Sequence, residues 1–136
     1  VETNFQKVRQ FTAIMGQPMG RKLRAEDMPY PRLSNEDTRD DEVNALFQLR
    51  KRLMAEEYME IVKSDTPENF IKELCDMLYV VYGTGLAFGF DMDEAFNRVH
   101  ESNMSKLDSN GMPLKREDGK ILKGPNYRPA VMGDLV

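Results

Sequence analysis

Two groups of acids separated by a turn constrain this chain more than any other feature. They lie within residues 53–76, LMAEEYMEIVKSDTPENFIKELCD. The first group is Glu56, Glu57 and Glu60; the second is Glu73 and Asp76. Glu57 and Glu60 are three apart, as are Glu73 and Asp76, and residues three apart share a helix face. Between the groups, Ser64-Asp65-Thr66-Pro67 reads as a turn that folds a second helix back on the first. Four or five carboxylates would then converge, and like charges held that close repel. Hard divalent cations with oxygen ligands relieve such repulsion, and Mg²⁺ keeps sites open for waters and phosphates.

The flanking pattern favours acids that face inward. Leu46, Leu49 and Leu53 step by three and four, and the same stepping lands on Glu57 and Glu60. On the second helix, Glu73, Asp76, Val80 and Gly83 keep that rhythm. The acids are therefore expected to extend a buried stripe. The plainer alternative is a solvated helix face, where paired acids are common. A single E-x-x-E says little; E-E-x-x-E followed by E-x-x-D, each continuing an apolar stripe, says much more.

At 136 residues one domain, 1–136, is expected. Charged residues are 31% and hydrophobic ones 40%, a balance typical of an ordered, soluble protein. The formal charge of −4 argues against a general nucleic-acid binder. No apolar run is long enough to span a membrane and no signal-peptide pattern is present. An initiator methionine or more is expected ahead of Val1. The single cysteine, Cys75, excludes an internal disulfide, fits a reducing cytoplasm and is expected to fill a core position.

Helices are expected over about residues 4–15, 40–63, 67–88 and 92–106, followed by an irregular tail, 107–136. Asn4 is a candidate cap for the first, whose Phe11, Ile14 and Met15 offer a wall for a flat base. Residues 17–35 read as a loop with Arg21, Lys22, Arg24 and Arg32 spread through it. Thr66-Pro67 and Asp91 mark helix starts, with Glu94 at the reciprocal capping position. The third helix is apolar around much of its circumference and should be central; Gly83 and Gly85 allow close approach or room for a ligand. In the tail, Asp118-Gly119 suggests a short hairpin. From Ser102 onward six basic residues face four acids, so the tail is locally positive. Positive charge near an acidic metal cluster suits a polyphosphate ligand.

The segments LMAEEYMEI, ELCDMLYVVYGTGLAFGFDMDEAFNRVHESNMSKL and REDGKILKGPNYRP resemble the all-α nucleoside triphosphate pyrophosphohydrolases, the superfamily of MazG, dimeric dUTPase and phosphoribosyl-ATP pyrophosphohydrolase. Within them, NMSKL and DGKILKGPNY resemble a phosphoribosyl-ATP pyrophosphohydrolase-like subgroup of bacteria and phages. The resemblance implies an all-α, antiparallel four-helix-type bundle that assembles as a homodimer or homotetramer. It implies cleavage between the α and β phosphates of a (deoxy)nucleoside triphosphate, giving a nucleoside monophosphate and pyrophosphate. The room left by the glycines of the third helix suggests a purine deoxynucleotide such as dGTP as substrate, and phosphoribosyl-ATP of histidine biosynthesis is the alternative. A non-catalytic metal- or nucleotide-binding module is the alternative of another class.

Carried over by position, the metal ligands are Glu57, Glu60, Glu73 and Asp76, holding two or more Mg²⁺ or Mn²⁺ ions. Glu56, or a ligand such as Glu57, serves as base. Asn103, Lys106, Lys120, Lys123 and Tyr127 approach the nucleotide. One departure is Thr12, where many relatives of the subgroup carry a histidine after the phenylalanine. The implied location is the cytoplasm, that of the host if the protein is phage-encoded.

Overall fold

The computed structural model describes residues 1–28 and 41–136. Among the described residues there are four α-helices: α1 (Asn4–Ile14), α2 (Asp41–Lys63), α3 (Pro67–Ala87) and α4 (Met92–Met104). Among the described residues there is no strand, so the fold is all-α. Residues 29–40, which hold Pro29, Pro31 and Arg32 of the expected loop and Asp40 of the expected helix start, lie outside the described residues.

Contacts gather the chain into two compact units, residues 1–90 with Val136 and residues 91–135. In the first, α3 packs against both α2 and α1 and is the central helix. Thr66 caps α3 by accepting from the Asn69 amide, and Pro67 takes the first helical position, where its missing N–H costs nothing. The cap of α1 is Thr3, not Asn4: its hydroxyl accepts from the Gln6 amide while the Gln6 side chain accepts from the Thr3 amide. This reciprocal pair satisfies two amides that the first helical turn leaves open.

Val43, Ala87 and Phe88 form the core, with Leu23, Leu46, Phe47 and Phe90 packed around them. The segment after α1 crosses the end of α3, where the Gly20 and Arg21 amides donate to the Leu86 and Ala87 carbonyls at 2.9 and 2.8 Å. Those two bonds satisfy carbonyls that a helix end otherwise leaves unpaired. Gly89 takes φ +71°, the left-handed turn that stops the helix. Asp27, fully buried, accepts from the Arg24 amide and guanidinium. Arg24 also meets Glu26 at 3.2 Å.

Burial is shallow. Leu49, expected in the buried stripe, is exposed, as are Tyr58, Met59 and Val62 of α2 and Phe70, Ile71, Leu74 and Leu78 of α3. Cys75 is likewise exposed rather than a core filler. It falls one position off the Glu73–Asp76 stripe, on the face that carries Leu78, Tyr79 and Tyr82 beside α1.

In the second unit, Asp91 caps α4 by accepting from the Glu94 amide. Glu94 does not reciprocate; its carboxylate takes the Arg98 Nε at 3.0 Å. The tail folds against the end of α4. The Gly124 amide donates to the Lys106 carbonyl at 2.8 Å and the Arg128 amide to the Ser105 hydroxyl at 2.9 Å. Arg98 reaches Asp134 with two parallel hydrogen bonds of 2.6 and 2.9 Å. The expected hairpin is reduced to one antiparallel bridge, Lys115 to Ile121, turning at Asp118-Gly119 with Gly119 at φ +87°.

Candidate active site

The helical hairpin of α2 and α3 brings three acids from both arms together. One carboxylate oxygen each of Glu57, Glu73 and Asp76 lies within 4.8 Å of the others. Glu73 is buried, and Glu57 and Asp76 are half-buried. Repulsion shows at Glu57: partial desolvation, then Asp76 and Glu73, and to a smaller extent Glu60, hold its carboxyl above the ordinary glutamate range, against an opposing pull from Lys72.

Lys72 is a participant that the sequence reading missed. Its ammonium lies 2.6 Å from Asp76 and 3.5 Å from Glu73. The hydrogen bond to Asp76, its charge and that of Glu73 raise the Lys72 pKa. The spacing offered a signal, since Lys72 and Asp76 are four apart on one helix face. A side-chain cation therefore rests on two of the three acids. An all-oxygen donor set of carboxylates suits a hard divalent ion.

Glu60 is exposed and stands outside the 4.8 Å group; it lies one turn beyond Glu57 on α2. Glu56 is exposed as well, adjacent to Glu57. The remaining candidates all belong to the second unit. Asn103 sits in the last turn of α4, and Lys106 follows it, its amide donating to the Asn103 carbonyl at 3.1 Å. The Lys123 ammonium stands 4.7 Å from the centre of the Tyr127 ring, a cation–π contact. Lys120 is exposed at the hairpin turn, its amide bonded to Asp118.

Phe11 packs edge-on against Tyr79 at 5.3 Å, while Ile14 and Met15 are exposed. Thr12 is buried and its hydroxyl donates to the Val8 carbonyl of its own helix. Among the described residues, no helix is long and apolar enough to cross a membrane.

Among solved structures, a protein of Exiguobacterium sp. 255-15, provisionally described as an NTP pyrophosphohydrolase, matches with a TM-score of 0.45 at 23% identity, over 96% of this chain and 90% of its own. No curated protein matches significantly. The profile of one enzyme family does match, over residues 8–103, which include Glu56, Glu57, Glu60, Glu73 and Asp76. By that match the chain belongs to the phosphoribosyl-ATP pyrophosphohydrolase family, and it is a pyrophosphohydrolase.

Proposed function

We propose that the protein is a divalent-metal-dependent pyrophosphohydrolase that cleaves a (deoxy)nucleoside triphosphate between its α and β phosphates. The observation that carries this reading is the convergence of Glu57, Glu73 and Asp76 from two helices, with an ammonium already resting on two of them. Those three residues, with Glu60 drawn in from the next turn, would hold Mg²⁺ or Mn²⁺. When bound, such ions supply charge neutralisation for the polyphosphate and acidity to water. Glu56, beside the ligands and exposed, accepts the proton from the attacking water. Lys106 and Lys123 offset charge on the leaving pyrophosphate, and Asn103, Lys120 and Tyr127 hold the nucleotide. No covalent nucleophile is required.

The exposed apolar residues of α2 and α3 support a second part of the reading. Tyr58, Met59 and Val62 on one helix and Phe70, Ile71, Leu74 and Leu78 on the other are exposed, and exposed apolar side chains gathered on two helices are what a second copy of the chain would cover. The protein works as a homodimer or homotetramer that covers this surface.

The family match favours one other substrate, phosphoribosyl-ATP. A fold-level match does not fix a substrate, because specificity lives in the site. A pyrophosphate-release assay across canonical deoxynucleoside and ribonucleoside triphosphates and phosphoribosyl-ATP, with Mg²⁺ or Mn²⁺, decides between them. Turnover of a purine deoxynucleotide such as dGTP above the rest is expected. A preference for phosphoribosyl-ATP over every nucleoside triphosphate supports the second reading, and metal binding without pyrophosphate release from any of them overturns both.

A further inference from the structure

A charged side chain lies inside the hairpin that carries the acids. Arg50 of α2 is half-buried against α3. Its Nε donates to the Thr84 hydroxyl at 3.1 Å and its Nη2 to the Val80 carbonyl at 2.8 Å. The Thr84 hydroxyl in turn donates to the same Val80 carbonyl, at 2.8 Å. The guanidinium tip approaches Gly83 closely: a Cβ built there would stand 2.5 Å from Nη2 and 3.4 Å from Cζ. Burial alone lowers the Arg50 pKa, so the charge is held at a desolvation cost.

Helix arithmetic links this contact to the acids. Arg50 and Glu57 are seven residues, two turns, apart on α2, on one face. On α3, Val80 is four residues from Asp76 and seven from Glu73, again on one face. The helices run antiparallel, so the Arg50–Val80 contact and the Glu57–Asp76 contact share a single sliding register. Apolar stripes alone fix such a register loosely. A guanidinium with two directed donors, its Nη2 close enough to residue 83 that a Cβ there would displace it, fixes the register more sharply.

We propose that Arg50 is a positioning residue: it locks the α2–α3 register through Val80 and Thr84, across Gly83, and thereby sets the spacing of Glu57 against Glu73 and Asp76. The assignment rests on the reading of those acids as the cation site, although the lock itself does not. Outer residues that orient ligands typically cost about 10–100-fold in metal affinity when removed.

The test is a double-mutant cycle on the full chain, R50M, G83A and R50M/G83A, read by thermal melting and by Mn²⁺ titration well below the melting point. In the parent, G83A drives the new methyl into the guanidinium. It is expected to lower the melting temperature and to weaken Mn²⁺ binding about 10-fold. In the R50M background the guanidinium is gone, so G83A leaves Mn²⁺ affinity unchanged and restores helix propensity, raising the melting temperature. R50K, which keeps the charge but not the two-donor fork, binds Mn²⁺ more weakly than the parent at unchanged helical content. Equal effects of G83A in both backgrounds, or parental Mn²⁺ affinity in R50M and R50K, overturn the assignment. Should R50M not fold, R50K and G83A carry the same comparison, and parental affinity in both overturns it. A parent that binds no Mn²⁺ refutes the cation site instead, and the melting cycle still decides the lock.

Discussion

Replacing Glu57 with glutamine should make the metal-free protein more stable while removing its response to metal. The two side chains match in size and in helix propensity, so the change isolates one charge. Glu57 faces Glu73 and Asp76, each with an oxygen within 4.8 Å. One such repulsion amounts to about 1 kcal/mol with water-like screening and about 3.5 kcal/mol at an effective dielectric of about 20. Glu57 is half-exposed, which favours the lower figure, and Lys72 offsets part of it. The net gain is then about 1 kcal/mol, or about 3–5 °C in melting temperature for a chain of this size. The sign with pH follows from the raised Glu57 pKa. The penalty is absent below the ordinary glutamate pKa of the unfolded chain, sets in as pH rises above it and is complete once pH exceeds the raised folded value, so the difference between variant and parent is full near pH 8 and fades near pH 4. With Mn²⁺ at about 100 times its dissociation constant, the parent should gain about 2.7 kcal/mol and the variant far less. Melting scans at fixed protein concentration, with and without Mn²⁺, measure both. A metal-free variant no more stable than the parent, or one that keeps the full Mn²⁺ shift, refutes the reasoning.

Lys72→Met removes the resident ammonium, so Mn²⁺ should bind several-fold more tightly while apo stability falls slightly; weaker binding in a titration would show that Lys72 assists the metal instead of competing with it. Asp76→Asn and Glu60→Gln should each abolish pyrophosphate release with helical circular dichroism intact, and unchanged turnover in either would remove that residue from the ligand set. Gly124→Ala pushes a methyl against the Lys106 carbonyl, 2.6 Å away, so the tail should release from α4 and become protease-sensitive; parental resistance would contradict that packing. The Arg98 guanidinium holds the Asp134 carboxyl below the ordinary aspartate range. Its contribution is therefore complete above that range and fades only as pH falls through the lowered value, which hydrogen exchange in the last ten or so residues can follow.

The helices were legible because their signals are local. Thr66-Pro67 and Asp91 start helices by side-chain chemistry that needs no tertiary partner. The first cap fell on Thr3 rather than Asn4 because the reciprocal bond needs a glutamine three residues on, and Gln6 serves Thr3. Glu57, Glu73 and Asp76 converge because helical spacing fixes faces, whereas Glu56 and Glu60 stay exposed outside that group. What spacing does not fix is depth. Leu49 sits on the same stripe as Leu46, yet it is exposed, since one helical partner covers only part of a stripe. Gly83 signals close approach or room for a ligand, but what approaches it is Arg50, 33 residues away, whose polar head gives no sign in sequence of being inside. Lys72 was overlooked for the opposite reason, as one lysine in a charge-rich chain.

The account stands on the three carboxylates sharing a divalent cation, and anomalous diffraction from crystals grown with Mn²⁺ tests that most directly. A manganese peak bridging Glu57, Glu73 and Asp76, with Lys72 swung away, is the expected result. Manganese bound elsewhere, or no peak among these side chains at saturating concentration, would contradict it.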